Sequence, residues 1–181
     1  MNSKILLATN NQGKVAELHD LISGFPLELL SLTDFPGIME VDETGSTFAE
    51  NARLKAIGYA LQTNTPALAD DSGLEVDALD GRPGVLSARY GGENLSFAEK
   101  MALILAEIQA SEASDRRARF VCSITIADAE GKMLFSADGI CEGRIAYSPR
   151  GSGGFGYDPI FIPDGFDLTF GELARSTKQS I

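Results

Sequence analysis

Histidine occurs once in this chain of 181 residues and cysteine twice, and each scarcity removes a class of chemistry. The single histidine, His19, falls in a helical segment, where it serves the surface or helix packing rather than catalysis. That excludes Ser-His-Asp and Cys-His nucleophilic catalysis and any two-histidine metal site. Cys122 and Cys141 stand alone in strand-like apolar contexts without C-x-x-C spacing, so they read as buried reduced thiols rather than a zinc site or a disulfide framework. No run approaches the roughly 18 apolar residues of a membrane span, and Met1-Asn2-Ser3-Lys4 lacks the layout of a secretory signal, which points to the cytoplasm. Basic residues are also few: 15 Lys and Arg against 26 Asp and Glu leave a net charge of -11, which argues against a general nucleic-acid surface. The densest basic run, Arg116-Arg117-Ala118-Arg119, reads as a solvated loop and strand entrance.

What is present is an ordinary globular composition, 44% hydrophobic and 23% charged, long enough for one substantial core. Any chemistry falls to carboxylates and lysines. Net acidity does not exclude a small phosphorylated ligand, because a few convergent cations with a divalent metal bind one locally.

Lys4 to Ala8 reads as a buried strand, and Val15, Leu18, Leu21 and Ile22 fall at helical spacing over Lys14 to Ile22. Leu27 to Leu32 predicts a second strand. A polar loop follows at Asp42 to Ser46. Thr47 with Glu50 then has capping-box spacing for a helix through Leu61, and Ser96 with Glu99 repeats the signal for a helix to about Gln109. Between them, Leu68 to Leu79 predicts a strand, a turn at the Asp-Asp pair and a second extended piece, closed by a Pro-containing turn at Gly81 to Gly84. Ala118 to Ala127, a turn at Asp128 to Gly131 and Lys132 to Ala137 read as a hairpin, with further strands at Cys141 to Tyr147 and Pro159 to Ile162. The fold expected is α/β: one domain with a mixed sheet and two lobes, an early strand-helix half and a later hairpin-rich half, with ligand loops in the cleft between them.

Five segments carry chemistry. Ala69-Asp70-Asp71-Ser72-Gly73 places adjacent carboxylates at an expected strand end, where desolvation and mutual repulsion call for a cation; the alternative is a simple turn cap. Thr9-Asn10-Asn11-Gln12-Gly13-Lys14 joins the first strand to the first helix, where free N-H groups and the helix dipole favour an anion. It is not a P-loop, and an Asn-rich helix cap is the other reading. Asn51 and Lys55 share one helical face, directed to a cleft or to solvent. Asp42 and Glu43 can join Asp71 in binding metal or remain solvated. Ser148 to Asp158 contains four glycines. In Gly151-Ser152-Gly153-Gly154-Phe155-Gly156-Tyr157-Asp158, backbone can approach a planar ligand, Phe155 or Tyr157 can stack on it and Asp158 can accept hydrogen bonds; the other reading is a flexible loop with two core aromatics.

The order of these segments resembles the inosine triphosphate pyrophosphatase family over nearly the whole chain. It runs through Thr9 to Lys14, Glu43-Thr44-Gly45 with Thr47-Phe48, Glu50-Asn51-Ala52 with Lys55-Ala56, Ala69 to Gly73, Ser87-Ala88-Arg89-Tyr90 and Gly153 to Pro159. The resemblance implies an elongated α/β fold with a central cleft, use of Mg2+, a homodimer, and hydrolysis of ITP, dITP and XTP to monophosphate and pyrophosphate, which cleanses the nucleotide pool. By motif match, Thr9, Asn10, Asn11, Gln12, Gly13 and Lys14 would hold the triphosphate with help from Lys55. Asp71 would bind metal and act as the base for the attacking water, and Ser72 would contact substrate. Asp42 or Glu43 would be the second acidic metal contact. Phe155, Gly156, Tyr157 and Asp158 would form part of the base pocket, with Lys178 as a further substrate contact. The family pattern continues after Lys178 with Ser-His-Arg and a final helix, which the resemblance places beyond Gln179-Ser180-Ile181.

Overall fold

The computed structural model describes residues 3–22, 24–111 and 114–181. Its elements, in chain order, are β1 (Ser3–Leu7), α1 (Gln12–Ile22), β2 (Leu27–Ser31), α2 (Phe48–Thr63), β3 (Ala67–Val76), α3 (Phe97–Ala110), β4 (Arg117–Ala127), β5 (Met133–Ile145), β6 (Phe161–Pro163) and α4 (Arg175–Lys178). The six strands form one mixed sheet in the order β2-β1-β3-β4-β5-β6. β1 runs parallel to both β2 and β3, and β5 pairs antiparallel with β6. This bears out the α/β class with a mixed sheet.

The caps start the helices as their spacing requires. Thr47 Oγ1 accepts from the Glu50 N-H at the start of α2, and Ser96 with Glu99 completes a reciprocal capping box on α3. Two local expectations change. The turn expected at Asp70-Asp71 does not form: β3 passes straight through it, and only the bends after Val76 reverse the chain. The separate strands expected at Lys132 to Ala137 and Cys141 to Tyr147 are one continuous β5. In both places sheet pairing on a long neighbour outweighs the local turn preference of Asp, Ser and Gly.

Contact density divides the chain into two compact units, residues 1–71 with 122–139, and residues 72–121 with 140–181. In the first unit the sheet is buried on both faces. Leu6, Ala8, Ala67 and Ala69 pack on Ala56, Tyr59 and Ala60 of α2. Ile5, Leu7 and Leu68 pack on Leu18 and Ile22 of α1. Strand alternation therefore assigns residue 67, 69 and 71 positions to the α2 face and 68 and 70 to the α1 face. β1 stands between β2 and β3, so its exit is a topological switch point, where α/β sheets hold ligands.

The core of the second unit gathers Leu74 and Val76 of β3, Met101, Ile104 and Ile108 of α3, and Ile145, Tyr157, Ile160, Phe161 and Phe170. The α3 residues recur at helical spacing, so the helix buries one continuous stripe.

Candidate active site

In the first unit, the alternation of β3 sends its adjacent carboxylates to different helices. Asp70 meets Lys14 of α1 at 2.6 Å, with 17% of the lysine side chain and 6% of the aspartate side chain exposed. Asp71 lies 3.6 Å from Lys55 Nζ of α2 and accepts from Asn51 Nδ2 at 3.1 Å. Lys55 also meets Glu43 Oε1 at 2.7 Å. Each buried carboxylate thus has its own lysine, which answers the desolvation and repulsion that the Asp-Asp pair presents.

The electrostatics follow this geometry. Burial pushes Asp71 above the ordinary aspartate range; Lys55 and the Asn51 hydrogen bond pull against it, and Glu43 adds to the rise. Burial opposes the charge on Lys55, but Glu43, Asp71 and Asp70 together outweigh it and hold the ammonium above the ordinary lysine value. Burial, with Asp70 nearby, pushes the Cys122 thiol up to about 11.

At the start of α1, Asn11 Oδ1 accepts from the Gly13 and Lys14 N-H groups at 2.9 and 3.3 Å, and Thr9 Oγ1 accepts from the Asn11 N-H at 3.2 Å. The Asn-rich segment caps the helix and at the same time sets Lys14 on its inner face. Asn10 is exposed, and the Gln12 side chain lies outside the described residues. Asp42 is exposed and, among the described residues, pairs with no cation; the acidic residue that turns inward is Glu43.

Among the described residues no three His, Cys, Asp or Glu side chains group tightly enough to hold a metal by themselves. The donors nevertheless fit a hard cation. Glu43 and Asp71 converge on one positive centre, Lys55 Nζ, and Asp70 Oδ1 is buried without a hydrogen-bond partner. Mg2+ is ordinarily held by one or two carboxylates, with substrate phosphates and water completing its octahedron, and Glu43 and Asp71 supply two.

A separate cluster lies in the second unit. Asp158 Oδ2 accepts from Lys178 Nζ at 2.6 Å and from the Phe155 N-H at 2.8 Å. Lys178 Nζ also stands 4.8 Å from the centre of the Phe155 ring and 5.3 Å from that of Phe170. Phe155 and Gly156 are half-buried, as is Ser72 in the outgoing part of β3. Tyr157 is only 3% exposed; its ring meets Phe97 edge-on and its hydroxyl donates to the Ser87 carbonyl at 2.8 Å. Of the two aromatics, Phe155 is the less buried, with Lys178 over its ring, and Tyr157 anchors the loop through its buried ring and hydroxyl.

The sequence matches the Ham1 family over residues 5–181. This chain belongs to the Ham1 family. It is 46% identical over 179 residues to the dITP/XTP pyrophosphatase of Oceanobacillus iheyensis, covering 98% of this chain and 90% of that protein. To the dITP/XTP pyrophosphatase of Geobacter sulfurreducens it is also 46% identical, over 99% of this chain and 89% of that one. The fold agrees with a Ham1 protein structure from Coxiella burnetii at a TM-score of 0.91 and 42% identity, covering 99% and 91% of the two chains. A Mycobacterium abscessus nucleoside-triphosphatase / dITP/XTP pyrophosphatase aligns at 0.79 and 43% identity, over 98% and 91%. The family resemblance drawn from ordered motifs is thereby borne out. Two residues of this cluster, Asp70 and Asn51, are not among the site residues that sequence reasoning carries over. The sequence reads Asp70 with Asp71 as one pair at a turn and leaves Asn51 on a helix face directed to a cleft or to solvent, because the partner each one meets is set by packing between elements.

Proposed function

We propose that this chain hydrolyses non-canonical purine nucleoside triphosphates of the dITP, XTP and ITP kind to the monophosphate and pyrophosphate. The observation that carries this reading is the pairing of Lys14 with Asp70 and of Lys55 with Asp71 and Glu43 on the two faces of β3, in a Ham1 chain whose relatives are named dITP/XTP pyrophosphatases.

Lys14 and Lys55 would bind the triphosphate, exchanging carboxylate contacts for phosphate oxygens while the Thr9 to Lys14 turn closes on the chain of phosphates. Asp71 would orient a water toward the α-phosphorus and take its proton as the new P-O bond forms. The bond from the α-phosphorus to the bridging oxygen then breaks, and pyrophosphate leaves with that oxygen. No covalent enzyme intermediate is required. Burial of Asp71, which strengthens its hold on a proton, suits it to this role. Glu43 and Asp71 would hold Mg2+, which when bound supplies positive charge against the phosphates. Ser72 would touch the substrate, while Phe155, Gly156, Asp158 and Lys178 would line the purine, with Tyr157 supporting their loop.

The same reading takes residues 1–181 as one nucleotide-hydrolysing domain with the family's elongated outline and active-site cleft, acting in the cytoplasm on free nucleotides. Nucleic acid and membrane are not partners in it; among the described residues no helix is long and apolar enough to cross a membrane. It also carries a homodimer, supported by the exposed apolar residues Met133, Leu134, Phe135 and Ile140 along β5. Light scattering on the purified protein tests that point.

The activity is tested by incubating the protein with Mg2+ and ITP, beside ATP and GTP, with separate detection of pyrophosphate and orthophosphate. Pyrophosphate from ITP, and little from ATP or GTP, is the expected result. Orthophosphate would make the protein a phosphatase, and binding without product would make it a nucleotide sensor.

A further inference from the structure

Asn51 lies in the first turns of α2 and is completely buried. Its Oδ1 accepts from the Gly45 N-H at 2.8 Å, and its Nδ2 donates to Asp71 Oδ2 at 3.1 Å. The two partners leave the amide one orientation. A backbone N-H can only donate and an ionised carboxylate can only accept, so the oxygen must face Gly45 and the nitrogen must face Asp71. Asparagine offers this donor and acceptor on one short side chain; aspartate lacks the donor, and leucine of similar volume lacks both.

The contact at Gly45 is close by construction. A Cβ there would stand 2.6 Å from Glu50 Cβ and 2.7 Å from Asn51 Oδ1, so only glycine lets the strand of loop before α2 approach the amide. The following residues are tied to the same helix: Glu50 Oε2 accepts from the Ser46 N-H and hydroxyl at 2.7 and 2.9 Å. Two residues before Gly45, Glu43 pairs with Lys55, one helical turn beyond Asn51. The loop that carries Glu43 and the strand that carries Asp71 therefore meet on one buried amide.

We infer that Asn51 is a positioning residue, which sets the Asp71 carboxylate and the Glu43 loop in a common register for the reaction. The inference rests on the pyrophosphatase reading for its consequence, though not for its geometry. In that reading Asn51 acts through Asp71 and the Gly45 loop, the two groups that its amide bonds. Partners of this kind, which orient a group that acts, typically change activity by about 10–100-fold when lost. Because the lysines are untouched, the effect belongs in kcat rather than KM.

The test uses Asn51→Asp, which keeps an acceptor for Gly45 but cannot donate to Asp71, and Asn51→Leu, which removes both bonds. Each is assayed on ITP with Mg2+, and the unfolding temperature of the metal-free protein is measured alongside. We expect kcat to fall about 10–100-fold in both variants, with KM within about threefold of wild type. A second measurement does not depend on activity: the exchanged pair Asn51→Asp with Asp71→Asn restores one donor facing one carboxylate. Its metal-free unfolding temperature should recover most of the loss caused by Asn51→Asp, while turnover stays lost. Unchanged kcat in both single variants, a rise in KM with kcat retained, a loss explained by the unfolded fraction alone, or no recovery in the exchanged pair would each overturn the inference. Failure of the wild type to release pyrophosphate would instead overturn the pyrophosphatase reading, and the unfolding measurements would still decide whether Asn51 holds Asp71.

Discussion

Lys14 and Asp70 form a 2.6 Å ion pair in which both side chains are largely withdrawn from water, and the second oxygen of Asp70 has no hydrogen-bond partner. The lysine proposed for phosphate binding is thus already paired with a carboxylate. Removing it leaves a buried carboxylate uncompensated, which is far worse than removing both charges together. Lys14→Ala should lower unfolding free energy by about 3 kcal/mol in urea titrations. Lys14→Met combined with Asp70→Leu should recover most of that stability, yet bind ITP as poorly as the single variant. Equal stability losses in the single and the double variant would remove the pair from this account.

Asp71→Asn should reduce turnover at least about 100-fold, the ordinary contribution of a positioned general base. Its effect on stability runs the other way. Burial raises the folded-state pKa of Asp71 above the unfolded value, so its ionisation destabilises the fold as pH rises from the unfolded value through the folded one. At neutral pH the neutral asparagine should therefore unfold at a temperature no lower than wild type, with any advantage vanishing below about pH 4. Calorimetric scans across pH read this directly, and a Tm well below wild type at pH 7 would contradict it.

If Asp71 is the base proposed, the same shift should set the acidic limb of activity. A base must be ionised to accept a proton, so kcat/KM should fall on acidification at a pH above the ordinary aspartate value of about 3.9. Lys55, held above the ordinary lysine range, should stay charged through neutral and mildly alkaline pH. Lys55→Ala, which removes the principal opposing charge beside Asp71, should move the acidic limb upward. An unmoved limb would mean that another group sets it.

Gly154 has φ of +71°, and a Cβ there would fall 1.8 Å from Asp158 Oδ2, the oxygen that binds Lys178 and the Phe155 N-H. Gly154→Ala should cost about 1–3 kcal/mol of stability through backbone strain alone. It should also raise KM for ITP, since Asp158, Lys178 and Phe155 shift together. Wild-type KM in a folded variant would show that the loop geometry does not govern recognition.

Burial pushes the Cys122 thiol up to about 11 and raises that of Cys141 as well. Since the thiolate is the reactive form, both should react with a disulfide reagent far more slowly at pH 7.5 than an ordinary thiol, and rapidly after denaturation. Both thiols are half-buried rather than buried as the sequence predicts, because each strand keeps one face partly open, and fast labelling of native protein would contradict the raised pKa values.

Much of this arrangement is legible from local patterns. Thr47 and Ser96 announce helix starts because a cap needs only its own helix's N-H groups, and the unbroken apolar run from Ile5 to Ala8 announces a strand buried on two faces. Asp70-Asp71-Ser72-Gly73 misleads for the same reason: those four residues prefer a turn when alone, and pairing on neighbouring strands keeps them extended. Tyr157 shows the converse case. Beside glycines it looks like a ligand platform, but the burial of its ring against Phe97 depends on a helix distant in sequence.

The amino-acid order by itself determined the α/β class, the helix caps, the confinement of chemistry to carboxylates and lysines, and the family, because these depend on residue identity and near spacing. Tertiary structure alone decided that Asp70 answers to Lys14 and Asp71 to Lys55, that Glu43 rather than Asp42 turns inward, and that Asn51 joins them. The reason is that a strand's two faces become different environments only when different helices cover them, and which lysine meets which carboxylate is then set by register and packing.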